Sequence, residues 1–462
     1  MREAVAASCP GRAVAIDPDL TRACRAYVRT AGAGQAPVSG SAVSFYASLE
    51  SSEPAPVAGV ATVSPPSNAD RAVGELFPRS CRFDRMGVAA GVLPSKEGVV
   101  CALTAAHGTD LDPLPGRVEP GAALEVSGKL APGLSLPRLF VTRPTGEVEE
   151  LKLGVTDAGR FAGKISLRDK GEHSVEVLAD GSGGPQVVAL RRIFAGVNPP
   201  FTPPPEQRAG EGLAGVEAAI ARLRASRGLH ALQRDPELDA VAEGHSKEMA
   251  LLKTFAHVLP TDGSLTDRLR KKGYAYRSAG ENIGLSDDAA SAHEAIVGSP
   301  AHLSTLLDPR YRRLGLGKIL GPTADGEGVY LTEVLATPIE GSADPAGDVA
   351  RLLFEERKKR GLPELTRDVT MDGLAAHEAR AVALADSPVL KLQGDAAAQA
   401  MDQVAELRSA VAELFVGSVA EDVVSSKNIA EPRWTRLGVG ALYASSKQYG
   451  PGRLWVVLLY GR

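Results

Sequence analysis

The chain has 462 residues, which at roughly 100–200 residues per domain implies three or four domains. Hydrophobic residues make up 44%, which excludes a disordered chain. Its 52 basic and 56 acidic side chains leave a net charge of −4, which argues against a nucleic-acid binder with its basic stripe. No apolar run reaches the roughly 18 residues needed for a membrane-spanning helix, so no transmembrane segment is expected.

The N-terminal quarter holds every cysteine: Cys9, Cys24, Cys81 and Cys101. No C-x-x-C spacing occurs, which argues against a zinc ribbon. The even count suggests two disulfides of unassigned connectivity, with buried free thiols as the alternative. Disulfides would place the protein outside the cytoplasm. The first residues, MREAVAASCPGR, have no apolar core and do not read as a signal peptide. Either the export signal lies outside this sequence or the oxidising-compartment reading fails.

From 111 to 197 the pattern is strand-like: ALEVSGKL, RLFVTRP, EVEELKL, RFAGKISL, HSVEVLAD and QVVALRRI, separated by Gly, Pro and Asp turns. Phe161, Ile165 and Leu167 share one face, as do Val175 and Val177. Six or seven such strands imply an immunoglobulin-like β-sandwich, here without a disulfide. A linker with five prolines, NPPFTPPPEQRAG, follows at 198–210 and is expected to be extended and semi-stiff.

Beyond the linker the period becomes helical. Val216, Ile220 and Leu223 mark one amphipathic helix ending near Gly228. A second, capped by Asp235 with Pro236 at its first position, aligns Leu238, Val241, His245, Met249 and Leu252. A third helix is expected over 289–297, and a fourth begins at Pro300 with Ser299 as cap. Two strands, RLGLGKIL and GVYLTEVLA, close this α+β unit.

Parts of the unit recur. RLGLGKILGPTADGEGVYLTEVLA returns as RLGVGALYASSKQYGPGRLWVVLLYG, and RASRGLHALQRDPELDAVAEG as RKKRGLPELTRDVTMDGLAAH. A fainter N-terminal copy pairs IDPDLTRACRAY with RDPELDAVAEGH, and RMGVAAGVLPSKEGVVCALTAA with the closing hairpin. The expected organisation is α+β and multi-domain. A degenerate unit with four cysteines spans 1–108 and the sandwich 109–197. The linker follows at 198–210, the central unit at 211–340 and a second degenerate unit at 341–462. Cysteine staples would compensate for the small core of the first unit.

The central copy carries His245, His257, Glu281, His293, Glu294 and His302, with Asn282 beside Glu281. Imidazoles and a carboxylate together could hold a first-row metal or move protons. His245 on an apolar face reads as a core histidine, and His293 as a surface one. Glu281, in GENIG, reads as part of a loop. His302, near a helix N-terminus, is expected to stay neutral.

With HSKEMALLKTFAHVLPTDGSLTDRLRKKGY, GENIG, SPAHLSTLLDPRYRRLGLG and GVYLTEVLA in this order over 216–338, the central unit resembles a CAP (SCP) domain. That superfamily comprises cysteine-rich secretory proteins, antigen 5 and plant pathogenesis-related proteins, and the likeness is greatest to its bacterial branch. The resemblance implies an α-β-α sandwich and a cleft with two histidines and two acids, reported in parts of the family to bind divalent metal. Carried onto this sequence, the first histidine is His257, the first acid Glu281 and the second histidine His302. The second acid does not carry over. Its family position, three residues beyond the site occupied here by Ile296, is Ser299, and Glu294 points elsewhere by helical phase. The implied metal set is therefore His257, Glu281 and His302, holding zinc or another divalent ion weakly. Glu281 is the candidate base if there is chemistry. In the C-terminal copy Ser425 replaces His302, and His377 is out of register.

Three functions remain open. One is a secreted or cell-surface binding protein for a lipid, glycan or peptide ligand or a surface protein. Another is an architectural adhesion scaffold. The third is a metal-assisted hydrolase, which lacks support from any HEXXH or nucleophile–base–orienter pattern. An extracytoplasmic location is expected, the partner is not a nucleic acid, and the runs RYRR and RKKR read as solvated faces.

Overall fold

The computed structural model describes residues 14–77, 81–106, 108–156, 159–203, 212–323, 326–389 and 396–462. The chain is a multi-domain α+β protein with five sheets among the described residues. In the N-terminal region a short strand, Ala15–Ile16, runs parallel to Arg85–Val92. That strand pairs antiparallel with Gly98–Ala105, which pairs antiparallel with Val57–Val63. The same order returns twice: Gln233–Arg234, Arg313–Pro322, Glu327–Pro338 and Tyr276–Ser286 in the centre, and Thr366–Arg367, Arg436–Ser446, Gly450–Gly461 and Ala410–Gly417 at the C-terminus.

Each sheet is covered by a helix that follows its short first strand: Pro18–Gly32, Pro236–Leu252 and Val369–Leu384. Asp17, Asp235 and Asp368 cap these helices through their side chains, satisfying amide protons that the first turn leaves free. The helices lie directly on glycines of the central strand. A Cβ at Gly87, Gly315 or Gly438 would overlap backbone of Leu20, Leu238 or Met371 respectively. Such close approach is a reason for glycine inside a strand. Gly317 meets the backbone of Ala242 and Glu243 in the same way. Gly317→Ala is therefore expected to lower stability by about 1–3 kcal/mol or more, read as a shift in the urea midpoint.

The N-terminal helix is tied to its sheet by a disulfide between Cys24 and Cys101, 77 residues apart with a Cα–Cα distance of 5.5 Å. Cys81 is also disulfide-bonded, and Cys9 lies outside the described residues. Replacing Cys24 and Cys101 together by alanine is expected to cost about 2–5 kcal/mol, measurable as a lowered melting temperature that reductant does not lower further through this pair.

The sandwich packs a four-stranded sheet (Gly154–Val155, Arg160–Leu167, Ala122–Leu130, Thr109–Leu111) on a five-stranded one (Arg117–Val118, Gly184–Ala195, Gly171–Gly181, Ser135–Thr142, Val148–Leu151). Phe161, Ile165, Leu167, Val175 and Val177 are buried between them, as the alternation predicts. Glu176 has the opposite parity and points out of the sandwich, yet it is fully buried. What covers it is the central unit.

Candidate functional site

The helix Pro236–Leu252 ends at Lys253, whose left-handed backbone (φ 50°) turns the chain into the loop that carries His257. The next helix, Leu265–Lys272, starts with a capping box between Ser264 and Asp267 and places Arg268 in its first turn. Glu281 lies in the strand Tyr276–Ser286, opposite Val334. This corrects the reading of GENIG as a loop. Its glycines serve packing: a Cβ at Gly280 would meet the Tyr311 hydroxyl at 2.5 Å, and one at Gly284 the Ala292 carbonyl at 2.7 Å. Gly280 and Gly284 weaken the strand signal locally, but the ladder to the closing strand overrides it.

Glu281 and His257 meet: Nδ1 of the histidine lies 3.0 Å from Oε1. The other carboxylate oxygen takes a hydrogen bond from Arg268 at 2.5 Å. Arg268 is buried and also donates to the carbonyls of Gly263 (2.8 Å) and His257 (3.2 Å). Burial alone would raise the Glu281 pKa, but the His257 hydrogen bond and the Arg268 charge outweigh it and hold the group below the usual carboxylate range. Glu281 is therefore ionised and held by two partners. His245 is a fully buried core histidine, as expected, bonded to Asp262 (2.7 Å) and to the Ala256 carbonyl (3.0 Å).

His302 stands across from His257, with ring centroids 6.2 Å apart and planes inclined by 30°. Burial and the nearby His257 push its pKa down to about 4, so it is neutral at physiological pH. Its Nδ1 is 2.8 Å from the Ser299 hydroxyl. Ser299 stands at the N-cap of Pro300–Leu307 as predicted, but its side chain makes no capping bond. The hydroxyl instead donates to Oε2 of Glu176 at 2.5 Å, and the Ala301 amide donates to Oε1 at 2.9 Å. A carboxylate from the sandwich thus caps a helix of the central unit, a favourable place for negative charge. Burial pushes the Glu176 pKa up to about 7, against the pull of both hydrogen bonds.

His293 is buried, not on the surface: its Nδ1 is 2.7 Å from Oε1 of Glu333, which is itself fully buried. Asn282 joins this pair to the site, donating to Glu333 (3.3 Å) and to the His302 carbonyl (3.2 Å). The Ala289–Gly298 helix turns His293 toward the sheet because Ala292 and Ile296 share its buried face. Glu294 is exposed.

Sequence reasoning missed Arg268, Asp262, Glu333 and Glu176. The first three lie inside the segments that carry the family likeness, where helical phase and strand parity could have flagged them. Nothing local marks Glu176, an outward-facing residue of another fold.

As a metal centre the donors fit poorly. Among the described residues no group of three His, Cys, Asp or Glu side chains is placed to hold an ion. Glu281 is engaged by a guanidinium and an imidazole, so it orients His257, as outer carboxylates orient ligating histidines. Ala58 in the N-terminal sheet and Ala412 in the C-terminal sheet occupy the register position of Glu281.

A family model described as the cysteine-rich secretory protein family (CAP) matches residues 217–333. The uncharacterized protein YkwD of Bacillus subtilis strain 168 is 32% identical over 97 residues, 21% of this chain and 38% of that protein. The chain therefore spans under two fifths of that relative. Among solved structures, an extracellular protein containing an SCP domain from Bacillus anthracis is 20% identical, covering 54% of this chain and 81% of that one, with a TM-score of 0.25. An outer surface protein from Borrelia burgdorferi is 20% identical over 27% and 90% of the two chains, TM-score 0.24. Fibronectin(III)-like modules from Clostridium thermocellum are 16% identical over 19% and 94%, TM-score 0.14. The family match falls on the unit that holds His257, Glu281 and His302, so residues 217–333 of the chain are a CAP-family region.

Proposed function

We propose that the chain is a secreted or cell-surface binding protein whose ligand sits in a groove between units. The observation that carries this reading is where space is left. Two crevices of about 560 and 670 Å³ lie along the seams that the sandwich makes with the N-terminal and central units, within the size range of ligand sites. The His257 loop, by contrast, is packed under the sandwich. Val258 donates to the Gly183 carbonyl at 3.0 Å, and a Cβ at Gly184 would press on His257 at 3.1 Å. We read the flanking regions, 1–108 and 341–462, as copies of the central unit, 211–340. Their shared strand order and helix-on-glycine packing support this, and alanine at the Glu281 position supports a binding or packing role for them.

The groups of the central site argue against hydrolysis. Ser299 and His302 have the spacing of a nucleophile and base, but the serine is buried and its proton is given to Glu176. A histidine with a pKa near 4 is a weak base at neutral pH. The test is equilibrium binding of the full chain to glycan, peptide and lipid arrays, beside an assay with ester and peptide substrates. Saturable binding retained in Glu281→Gln is expected. Turnover that disappears in Glu281→Gln would overturn the reading in favour of a hydrolase.

A further inference from the structure

The seam between the N-terminal unit and the sandwich has an unusual charge balance. Its walls are the helices Pro18–Gly32 and Gly40–Glu50, the sandwich strand Gly184–Ala195, and the stretches 114–117 and 198–201. Four arginines line it, Arg22, Arg29, Arg117 and Arg191, against one carboxylate, Glu50. Glu50 lies 3.6 Å from Arg22, which also holds Asp19. Among the described residues no carboxylate comes within ion-pair distance of Arg29, Arg117 or Arg191.

Arg191 is the most telling. It is 6% exposed, and one terminal nitrogen donates to the carbonyls of Leu49 (2.8 Å) and Ser51 (3.4 Å). Its Nε–H is buried with no partner, and burial lowers the pKa of the group. Asp19 and Glu50 act on it only from beyond ion-pair distance, and a buried guanidinium with an orphan donor and no ion-pair partner is costly, a cost that negative charge in the crevice would lower. Around the cations the lining is apolar, with Ala26, Leu114, Phe194, Pro199 and Phe201. Phe201 is 61% exposed at the rim, held by a hydrogen bond from the Tyr46 hydroxyl to its carbonyl at 3.0 Å. Inorganic phosphate would leave these surfaces wet, and a neutral apolar molecule would leave the arginines unpaired.

We propose that this crevice binds a small organic oxyanion, a carboxylate or phosphate carried on an apolar or aromatic body, with Arg191 at its base and Arg29 and Arg117 at its mouth. The inference rests on the binding reading above and names the ligand class for one of the two seams. The test is calorimetric titration of the full chain with phenyl phosphate, benzoate, inorganic phosphate and benzyl alcohol. Phenyl phosphate or benzoate is expected to bind saturably, at least tenfold tighter than inorganic phosphate or benzyl alcohol, and more weakly as salt rises. The double variant Arg29→Gln/Arg117→Gln alters only exposed side chains, so its fold is expected to survive, and it should weaken binding at least tenfold. Arg191→Met should abolish it. Equal affinity for inorganic phosphate, or affinity unchanged in the double variant, overturns the proposal. So does binding to phosphatidylglycerol vesicles without binding of phenyl phosphate, which would put the anion on a membrane. If the small anions fail while the arrays return another ligand, the oxyanion inference falls and the binding reading stands. Catalytic turnover would remove the binding reading whatever the titrations give.

Discussion

Arg268→Met is expected to destabilise the central unit by roughly 3–5 kcal/mol, the cost of leaving a buried charge without its partner. Glu281 is almost wholly inaccessible, and Arg268 supplies the nearest full positive charge, at 2.5 Å. Methionine fills much of the arginine stem's volume, so the loss would report the charge and its hydrogen bonds to the Gly263 and His257 carbonyls, not a cavity. The double variant Arg268→Met/Glu281→Gln should recover a large part of the stability, because a neutral amide costs less to bury than a carboxylate. Urea unfolding of the two single variants and the double variant makes a complete cycle. If Arg268→Met alone loses less than about 1 kcal/mol, as an exposed pair would, the network is not what holds the His257 loop against the strand.

Glu176 and His302 are expected to give opposing pH dependences that hide each other in the wild type. The folded pKa of Glu176 is raised to about 7, so the native state binds its proton more tightly than the unfolded chain. Its stabilisation is complete at the acid end and is lost as pH rises from the ordinary glutamate value through about 7. The folded pKa of His302 is lowered to about 4. Its stabilisation is complete above the ordinary histidine value and is lost as pH falls through about 4. Each is worth on the order of 3 kcal/mol over its window, and the windows overlap between about 4.5 and 6.5. Melting temperature should therefore vary little with pH there in the wild type. Glu176→Gln should unmask His302, giving a protein that loses stability on acidification from pH 6.5. His302→Asn should do the reverse and grow more stable as pH falls from 7 to 4.5. Parallel curves for all three proteins would show that the carboxylate and imidazole do not titrate as part of the folded junction.

Much of this architecture was legible in the sequence because its signals are local. Asp235 before proline announces a helix start, and the Phe161, Ile165, Leu167 alternation announces a strand with one buried face. The recurrence of RLGLG as RLGVG marks the glycines on which helices lie. His257, Glu281 and His302 were legible as a set through the order of their motifs, and two of them meet at hydrogen-bond distance. His293 was misread because an isolated histidine beside a glutamate on a short helix gives no sign of which face is covered. The helix phase that buries Ala292 and Ile296 also buries His293, and the acceptor that makes this tolerable, Glu333, lies 40 residues away.

The sequence by itself determined the α+β composition, the sandwich, the order of the central motifs, and the absence of the family's second acid from its own helix. Only the tertiary structure decided which carboxylate lies beside that position. Ser299 occupies the position, and the carboxylate arrives from Glu176, 123 residues earlier on the outward face of a sandwich strand. Strand parity could say that Glu176 points away from the sandwich core, but what covers that face depends on how two folded units dock. The same docking sets the charge of the arginine-lined seam. Arg191 shares the parity of the core residues Ala189 and Ile193 on its strand, and its burial without an ion-pair partner follows from the helices that close over it. Local pattern dictates which face a side chain takes, whereas burial, pairing and proton affinity at a junction belong to the surfaces that meet there.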